Sequence, residues 1–256
     1  MNELTKQSEH LRNEALRIAT RSYVPYTGQQ EGVIILLENG DLIPGVRVEN
    51  ASFQLTIPAL QNALSTMYAL RRTDISMIVS SIPFTDSDLA YTGGMAEIAW
   101  EMVGASLLLV AGAHIPEAGT FIDPARGENL LDVSREAALN AFIPESDFPV
   151  GSAIQTSDDV VIDGCNVEHS DWSKIICAER NVLSTARSYG LGQITTIYVS
   201  CPKEPGGTPC GACRQVIVEL APDATVWMDR GNQEPIAMKA TELPPGHFTG
   251  NVLKKQ

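Results

Sequence analysis

The sequence predicts an α/β protein built as two tandem αβα-sandwich domains, each around a mixed central sheet of about five strands. Three observations carry this expectation. First, the chain repeats itself. A shift of 119 residues, with no gap, aligns Pro25 with Pro144, Gly32 with Gly151, Gly45 with Gly164, Glu49 with Glu168, Ala59 with Ala178, Asn62 with Asn181 and Leu64 with Leu183. Second, short apolar runs alternate with helix-patterned stretches inside each copy, the grammar of a sheet covered by helices. Third, two copies of this length are too long and too few for a solenoid, so each is expected to be a domain, residues 1–119 and 120–256.

The elements follow in the same order in both copies. A polar helix with periodic apolar positions comes first (ELTKQSEHLRNEALRIATRSY, then NLLDVSREAALNAF) and stops near a proline. Next come two strands turning at ENGD in GVIILLENGDLIPGVRV and at SDD in GSAIQTSDDVVIDGCNV. A helix then begins near Ile57 or Ile176, followed by a buried strand, ISMIVSSI or ITTIYVSC. A second helix is expected in GGMAEIAWEMV and CGACRQVIVEL, where a shift of 118 pairs Gly93 with Gly211 and Glu101 with Glu219. An apolar strand closes each unit, ASLLLVAG or ATVWMD, and AGTFIDPARGEN has the composition of a linker.

Composition excludes several classes of function. The net charge of −13 opposes a polynucleotide partner but leaves a small neutral substrate untouched. The longest apolar run, ASLLLVAGA, is too short to cross a bilayer, and the polar start MNELTKQSEH lacks a signal core. A cytoplasmic protein is therefore expected. Five cysteines make an odd set with no small-scaffold spacing, which favours metal binding or a reactive thiol over a disulfide framework.

The chemistry-bearing residues lie in the second copy. Cys210 and Cys213 form a CxxC at a helix start, and Cys177 opens another helix with Glu179 two residues on. Three thiolates give a three-ligand zinc site with a fourth position left for water, and helix N-termini assist thiol deprotonation. Glu179, close by but not needed as a ligand, is suited to moving that water's proton. Arg180 and Arg214 are placed to offset the thiolate charge by hydrogen bonding to sulfur, or are simply exposed helix charges. A structural zinc site is the competing reading, but such sites normally have four protein ligands and no adjacent acid. Cys165 and Cys201 read as small buried residues, and His10, His114 and His247 have no ligand spacing.

ICAERN followed by PCGACRQV, preceded by FPVGSA and GCNVE, resembles the cytidine deaminases over about residues 130–228, with a fainter copy over 11–112. The family signature is usually given as H-x-E with P-C-x-x-C; here Cys177 stands in the histidine's place. The resemblance implies the cytidine deaminase-like fold in both copies and zinc held by Cys177, Cys210 and Cys213. Glu179 would be the proton shuttle in hydrolysis of cytidine and deoxycytidine to uridine and deoxyuridine with release of ammonia, a pyrimidine-salvage reaction. It further implies that Asn166 and Glu168 bind the ribose hydroxyls, Phe148 packs on the base and the Ala178 backbone meets the pyrimidine. Phe248 resembles a carboxy-terminal Phe that reaches a neighbouring site in small members.

This chain departs from the family where NVEHSDW replaces NVEN-A-x-Y, so His169 and Trp172 are expected to reshape the sugar end of the pocket. A modified cytosine nucleoside or nucleoside antibiotic is the alternative substrate, and a non-catalytic zinc scaffold the alternative class. Copy one lacks every cysteine: Pro58 and Leu60 replace Cys177 and Glu179, Gln29 answers Phe148 and Arg47 answers Asn166. Pro58 is at home in a first helical turn. Copy one therefore reads as a structural partner, and two chains are expected to form a homodimer of four domain-sized units. Its segment VENASF, with Asn50 and Phe53, is expected to serve an interface contact.

Overall fold

A computed structural model of the chain describes residues 3–95, 98–246, 248, 250 and 253, and His247 lies outside them. The first copy runs α1 (Glu3–Ala19), β1 (Gly32–Leu37), β2 (Leu42–Val46), α2 (Ala59–Ala69), β3 (Ile75–Ser80), α3 (Asp86–Met95), β4 (Trp100–Gly104) and β5 (Leu107–Val110). The second runs α4 (Leu130–Ala138), β6 (Gly151–Thr156), β7 (Val161–Cys165), α5 (Ala178–Tyr189), β8 (Ile194–Ser200), α6 (Gly211–Leu220), β9 (Thr225–Arg230) and β10 (Gln233–Lys239). Each copy forms its own five-stranded sheet, ordered β2-β1-β3-β5-β4 and β10-β9-β8-β6-β7.

Small residues fix the layers. Gly32 pairs with Val46 and Gly45 with Val33, so the Cα–Cβ directions of the two glycines point to opposite faces of the sheet. A Cβ on Gly32 would overlap the backbone of Ala15 in α1, and one on Gly45 the backbone of Ala59 in α2. The repeat-related Gly151 and Gly164 are pressed in the same way against α4 and α5. Each sheet thus carries helices on both faces, as expected.

The α2 and α5 faces meet, and a single buried cluster runs from Leu11 in one copy to Leu243 in the other. The two copies share one core rather than sitting as beads on a string. Across this seam Asn62 donates to Val46 O of its own copy at 2.8 Å and to Ser184 O of the other at 3.2 Å. Asn181 returns the pattern to Cys165 O at 2.8 Å and Ser65 O at 3.1 Å. The repeated asparagines are therefore the hydrogen-bonded pins of a pseudo-twofold interface.

Two expectations need correction. The helix expected across GGMAEIAWEMV ends at Met95, and Trp100–Gly104 is instead strand β4, paired antiparallel with β5. Two adjacent glycines weaken the helix there, while Trp100, Met102 and Val103 suit a strand. Glu101 therefore sits on a strand and Glu219 in a helix, so that pairing in the repeat is not a structural equivalence. The second correction follows from the first. In copy two, α6 carries the chain over so that β9 runs parallel to β8, which makes that sheet mixed as expected. In copy one the chain takes the edge position first and returns as β5, antiparallel to β3, so the first sheet is antiparallel throughout. An unforeseen edge strand, β10, pairs with β9 after a turn at Gly231; its sequence QEPIAMK has no apolar–polar alternation, which hides it from a hydrophobic-pattern reading.

The linker is ordered by its neighbours. Ile122 N–H donates to Leu42 O at 3.0 Å on one sheet edge, and Arg126 N–H donates to Val161 O at 2.8 Å on the other.

Candidate active site

Two helix starts converge beside the end of β8. Cys177 is the N-cap of α5, Cys210 the N-cap of α6, and Cys213 lies in the first turn of α6. Their sulfurs all lie within 4.8 Å of one another, with Cys177–Cys210 at 3.8 Å and Cys210–Cys213 at 3.5 Å. Tetrahedral zinc with Zn–S bonds of about 2.3 Å needs sulfurs about 3.8 Å apart. The donor set therefore fits zinc in both chemistry and spacing. Without a metal ion the three thiols share charge unequally. Hydrogen bonds from Cys177 and Cys213 favour the Cys210 thiolate, and they hold those two thiols protonated.

Glu179, the second residue of α5, is buried, and desolvation pushes its carboxyl up to about 7 in the metal-free protein. A carboxyl held beside the triad and away from bulk water is placed to take and return a proton. It opens, with the three cysteines, onto a cavity of about 560 Å³. Phe148, Asn166, Glu168 and Trp172 form the remainder of its wall together with Ile175, Val199 and Cys201. Ala178 is fully buried and does not line the cavity.

Asn166 and Glu168 are brought to the cavity, each already engaged by the strand-entry loop. Asn166 accepts from Val150 N–H at 2.8 Å and donates to Phe148 O at 2.9 Å, which places the Phe148 ring. Glu168 accepts from the N–H groups of Glu145 and Ser146, at 2.8 and 3.0 Å, and from the Ser146 hydroxyl. Glu49 makes the same three contacts with Tyr26 N–H, Thr27 N–H and the Thr27 hydroxyl in copy one. The glutamate thus anchors a loop in both copies, whatever else it does in the second. Ser146 was not singled out, although the shift of 119 already places it opposite the hydroxyl of Thr27.

A family model described as cytidine and deoxycytidylate deaminase zinc-binding region matches residues 125–229, and a second model of that description matches residues 1–91. A cytidine deaminase of Sporosarcina psychrophila is 41% identical over 123 residues, covering 48% of this chain and 90% of the relative. The chain belongs to the cytidine deaminase family. A cytidine deaminase of Halalkalibacterium halodurans is 36% identical over 47% of this chain and 92% of the relative. A crystal structure of cytidine deaminase from Burkholderia pseudomallei superposes with a TM-score of 0.45, at 34% identity, over 46% of this chain and 96% of that one.

Several features of this cytidine deaminase differ from expectation. Neither arginine hydrogen-bonds to sulfur. Arg180 donates to Leu55 O at 3.2 Å and Ile175 O at 3.5 Å, and Arg214 to Pro209 O, Thr208 Oγ1 and Leu243 O. These bonds tie the ligand-bearing segments to their surroundings. His169 turns away from the cavity and packs on copy one, so of the NVEHSDW departures only Trp172 lines the pocket. Phe248 is half exposed and held by Gln215, whose side chain donates to Phe248 O and accepts from Phe248 N–H. It does not line the cavity.

In the first copy Arg47, in place of Asn166, bridges Glu31 at 3.0 Å and Glu49 at 3.2 Å. Pro58 takes the N-cap position itself, one place before the first turn. The VENASF segment docks inside its own chain: Ala51 N–H donates to Glu219 Oε2 at 2.9 Å, while Phe53 remains 79% exposed.

Proposed function

We infer that the chain is a zinc-dependent cytidine deaminase whose working site lies wholly in the second copy. The observation that carries this is the coincidence of a zinc-spaced cysteine triad with the buried Glu179 carboxyl at one wall of a nucleoside-sized cavity. Zinc supplies Lewis-acid activation of water at neutral pH. Cys177, Cys210 and Cys213 hold it. Glu179 takes a proton from the attacking water, delivers one to N3 of the cytosine ring and then assists departure of ammonia from C4. Phe148, placed by Asn166, stacks on the base. Asn166 and Glu168 face the sugar, and the carboxylate of Glu168 retains acceptor capacity beyond its loop contacts. The apolar remainder of the wall, Ile175, Val199 and Trp172, excludes bulk water.

Deoxycytidine is proposed as a second substrate, in a salvage role. Residues 1–119 are proposed as the non-catalytic domain and 120–256 as the catalytic one. A homodimer in the cytoplasm is also proposed. It is supported by the exposed Phe53 and Trp172, which the repeat places at equivalent turns of the two copies, and no described helix is long and apolar enough to cross a membrane. The test is incubation of zinc-loaded protein with cytidine: uridine and ammonia in equal amounts are expected. No product at full zinc content removes the reading. Sedimentation separately reports whether chains pair.

A further inference from the structure

The chain gives the first copy more to do than bury surface. Three of its groups hold the segment 168–180, which carries much of the cavity wall. Leu55 O accepts from Arg180, next to Glu179; Gln61 donates to Lys174 O at 2.6 Å, next to Ile175; and Tyr91 O meets His169, next to Glu168. The third of these is the most built. The His169 imidazole is buried, stacks on the Tyr91 ring with centroids 4.9 Å apart and planes at 12°, and lies over Gly94. Its Nδ1 accepts from Asp171 N–H at 2.8 Å, so the proton sits on Nε2, which donates to Tyr91 O at 3.1 Å. Asp171 in turn accepts from Ser173 N–H at 3.0 Å and caps the short 3-10 turn that begins at Trp172.

We propose that His169 is a positioning residue for substrate binding, through which α3 of the non-catalytic copy holds Glu168 and Trp172 in the cavity wall. One face of this residue's turn is the cavity; the other is a helix that has lost its own chemistry. The contact is specific to this pair of elements. At the pseudo-symmetric place the VENASF loop meets α6 through Glu219, which accepts from Ala51 N–H and from the Tyr26 hydroxyl at 2.7 Å, with no imidazole involved. The glycine at position 94 makes room for the ring: a Cβ there would overlap His169 Cε1 and Nε2 and stand 3.0 Å from Ser170 Oγ. The imidazole cannot simply swing aside, because its stack and both nitrogens are engaged.

The proposal rests on the cavity being the nucleoside site, and one set of variants separates the two. Steady-state kinetics on cytidine, zinc content and thermal unfolding are measured for wild type, His169→Ala, His169→Gln, Gly94→Ala and the Gly94→Ala/His169→Ala double variant. Loss of positioning away from the zinc and Glu179 weakens binding without altering chemistry, so His169→Ala raises KM about tenfold and leaves kcat within about twofold. His169→Gln keeps a donor toward Tyr91 O and recovers part of the loss. Gly94→Ala, a change in the other copy, raises KM alike, and the double variant is no worse than His169→Ala because the vacated ring space takes the methyl. An unchanged KM in zinc-loaded variants, even with a lowered unfolding temperature, overturns the proposal. So do effects of Gly94→Ala and His169→Ala that multiply. If His169→Ala does not fold, His169→Gln and Gly94→Ala carry the same comparison. Absence of turnover in the wild type at full zinc contradicts the proposed function itself, whereas wild-type turnover with unaltered variants contradicts only the role of His169.

Discussion

Thr66 Oγ1 and Thr185 Oγ1, separated by one full repeat, hydrogen-bond to each other at 2.7 Å in the buried seam between α2 and α5. A residue can touch its own repeat equivalent only on the pseudo-twofold axis, so this pair marks it. Each hydroxyl also reaches the asparagine one turn back, Asn62 Oδ1 or Asn181 Oδ1, at 3.4 Å. Thr66→Val or Thr185→Val alone breaks the hydroxyl–hydroxyl bond and removes the donor to one buried asparagine oxygen, and is expected to cost about 1–3 kcal/mol. The double Val variant is expected to cost less than the sum, because the hydroxyl–hydroxyl bond shared by the two residues can be lost only once. Urea denaturation of the four proteins reads the cycle, and strict additivity would remove the axis from the account.

The outer layer is set by backbone contact. Gly151 sits where a Cβ would overlap Ser134 O and crowd Ala138 N in α4. Because the obstruction is backbone, Gly151→Ala must displace the helix and is expected to cost about 3 kcal/mol. Gly127→Ala, with nothing within 4 Å of the added methyl, serves as the neutral comparison.

Arg135 and Asp229 tie α4 to the end of β9. The guanidinium donates twice to the carboxylate, at 2.8 and 2.7 Å, and Ser200 Oγ and Gly231 N–H add bonds of 2.8 Å each. The Arg135 hydrogen bonds hold the Asp229 carboxyl below its ordinary value of 3.8. A lowered carboxyl pKa stabilises the fold at pH above the unfolded value, and that contribution is lost as pH falls through the folded one. The stability difference between wild type and Asp229→Asn is therefore expected to be constant from pH 5 to 8 and to shrink below about pH 4. Partial exposure of Arg135 keeps the effect modest.

Metal content distinguishes ligand from bystander thiols. Cys213→Ser is expected to reduce bound zinc from about one ion per chain to a small fraction of it. Cys201→Ser, in the same cavity but outside the triad, is expected to leave the zinc in place; its thiol is buried and pushed up to about 12. Elemental analysis of dialysed protein decides, and equal loss in both variants would contradict the assigned ligand set.

What could be read in the sequence was the part governed by local rules. Helix starts at Cys177 and Cys210, the β1–β2 and β6–β7 hairpins and the spacing of a metal triad all follow from short-range pattern. The fate of Trp100–Gly104 did not, because strand or helix there depends on whether α3 crosses over far enough to bring in a parallel strand. β10 was missed because an exposed edge has no hydrophobic alternation. Arg180 and His169 were misplaced for one reason: both turn toward the first copy, and a sequence with a repeat does not announce which faces the copies present to each other. Asn62 and Asn181 stood in the alignment from the start, but their role needed the seam.

The most direct test of the central claim compares wild type with Glu179→Gln, following the ultraviolet change as cytidine becomes uridine in proteins of matched zinc content. The amide keeps the side chain's size but cannot accept and return a proton. The account predicts that zinc is retained and kcat falls by about 10²–10⁴. Turnover at the wild-type rate in zinc-loaded Glu179→Gln would contradict it.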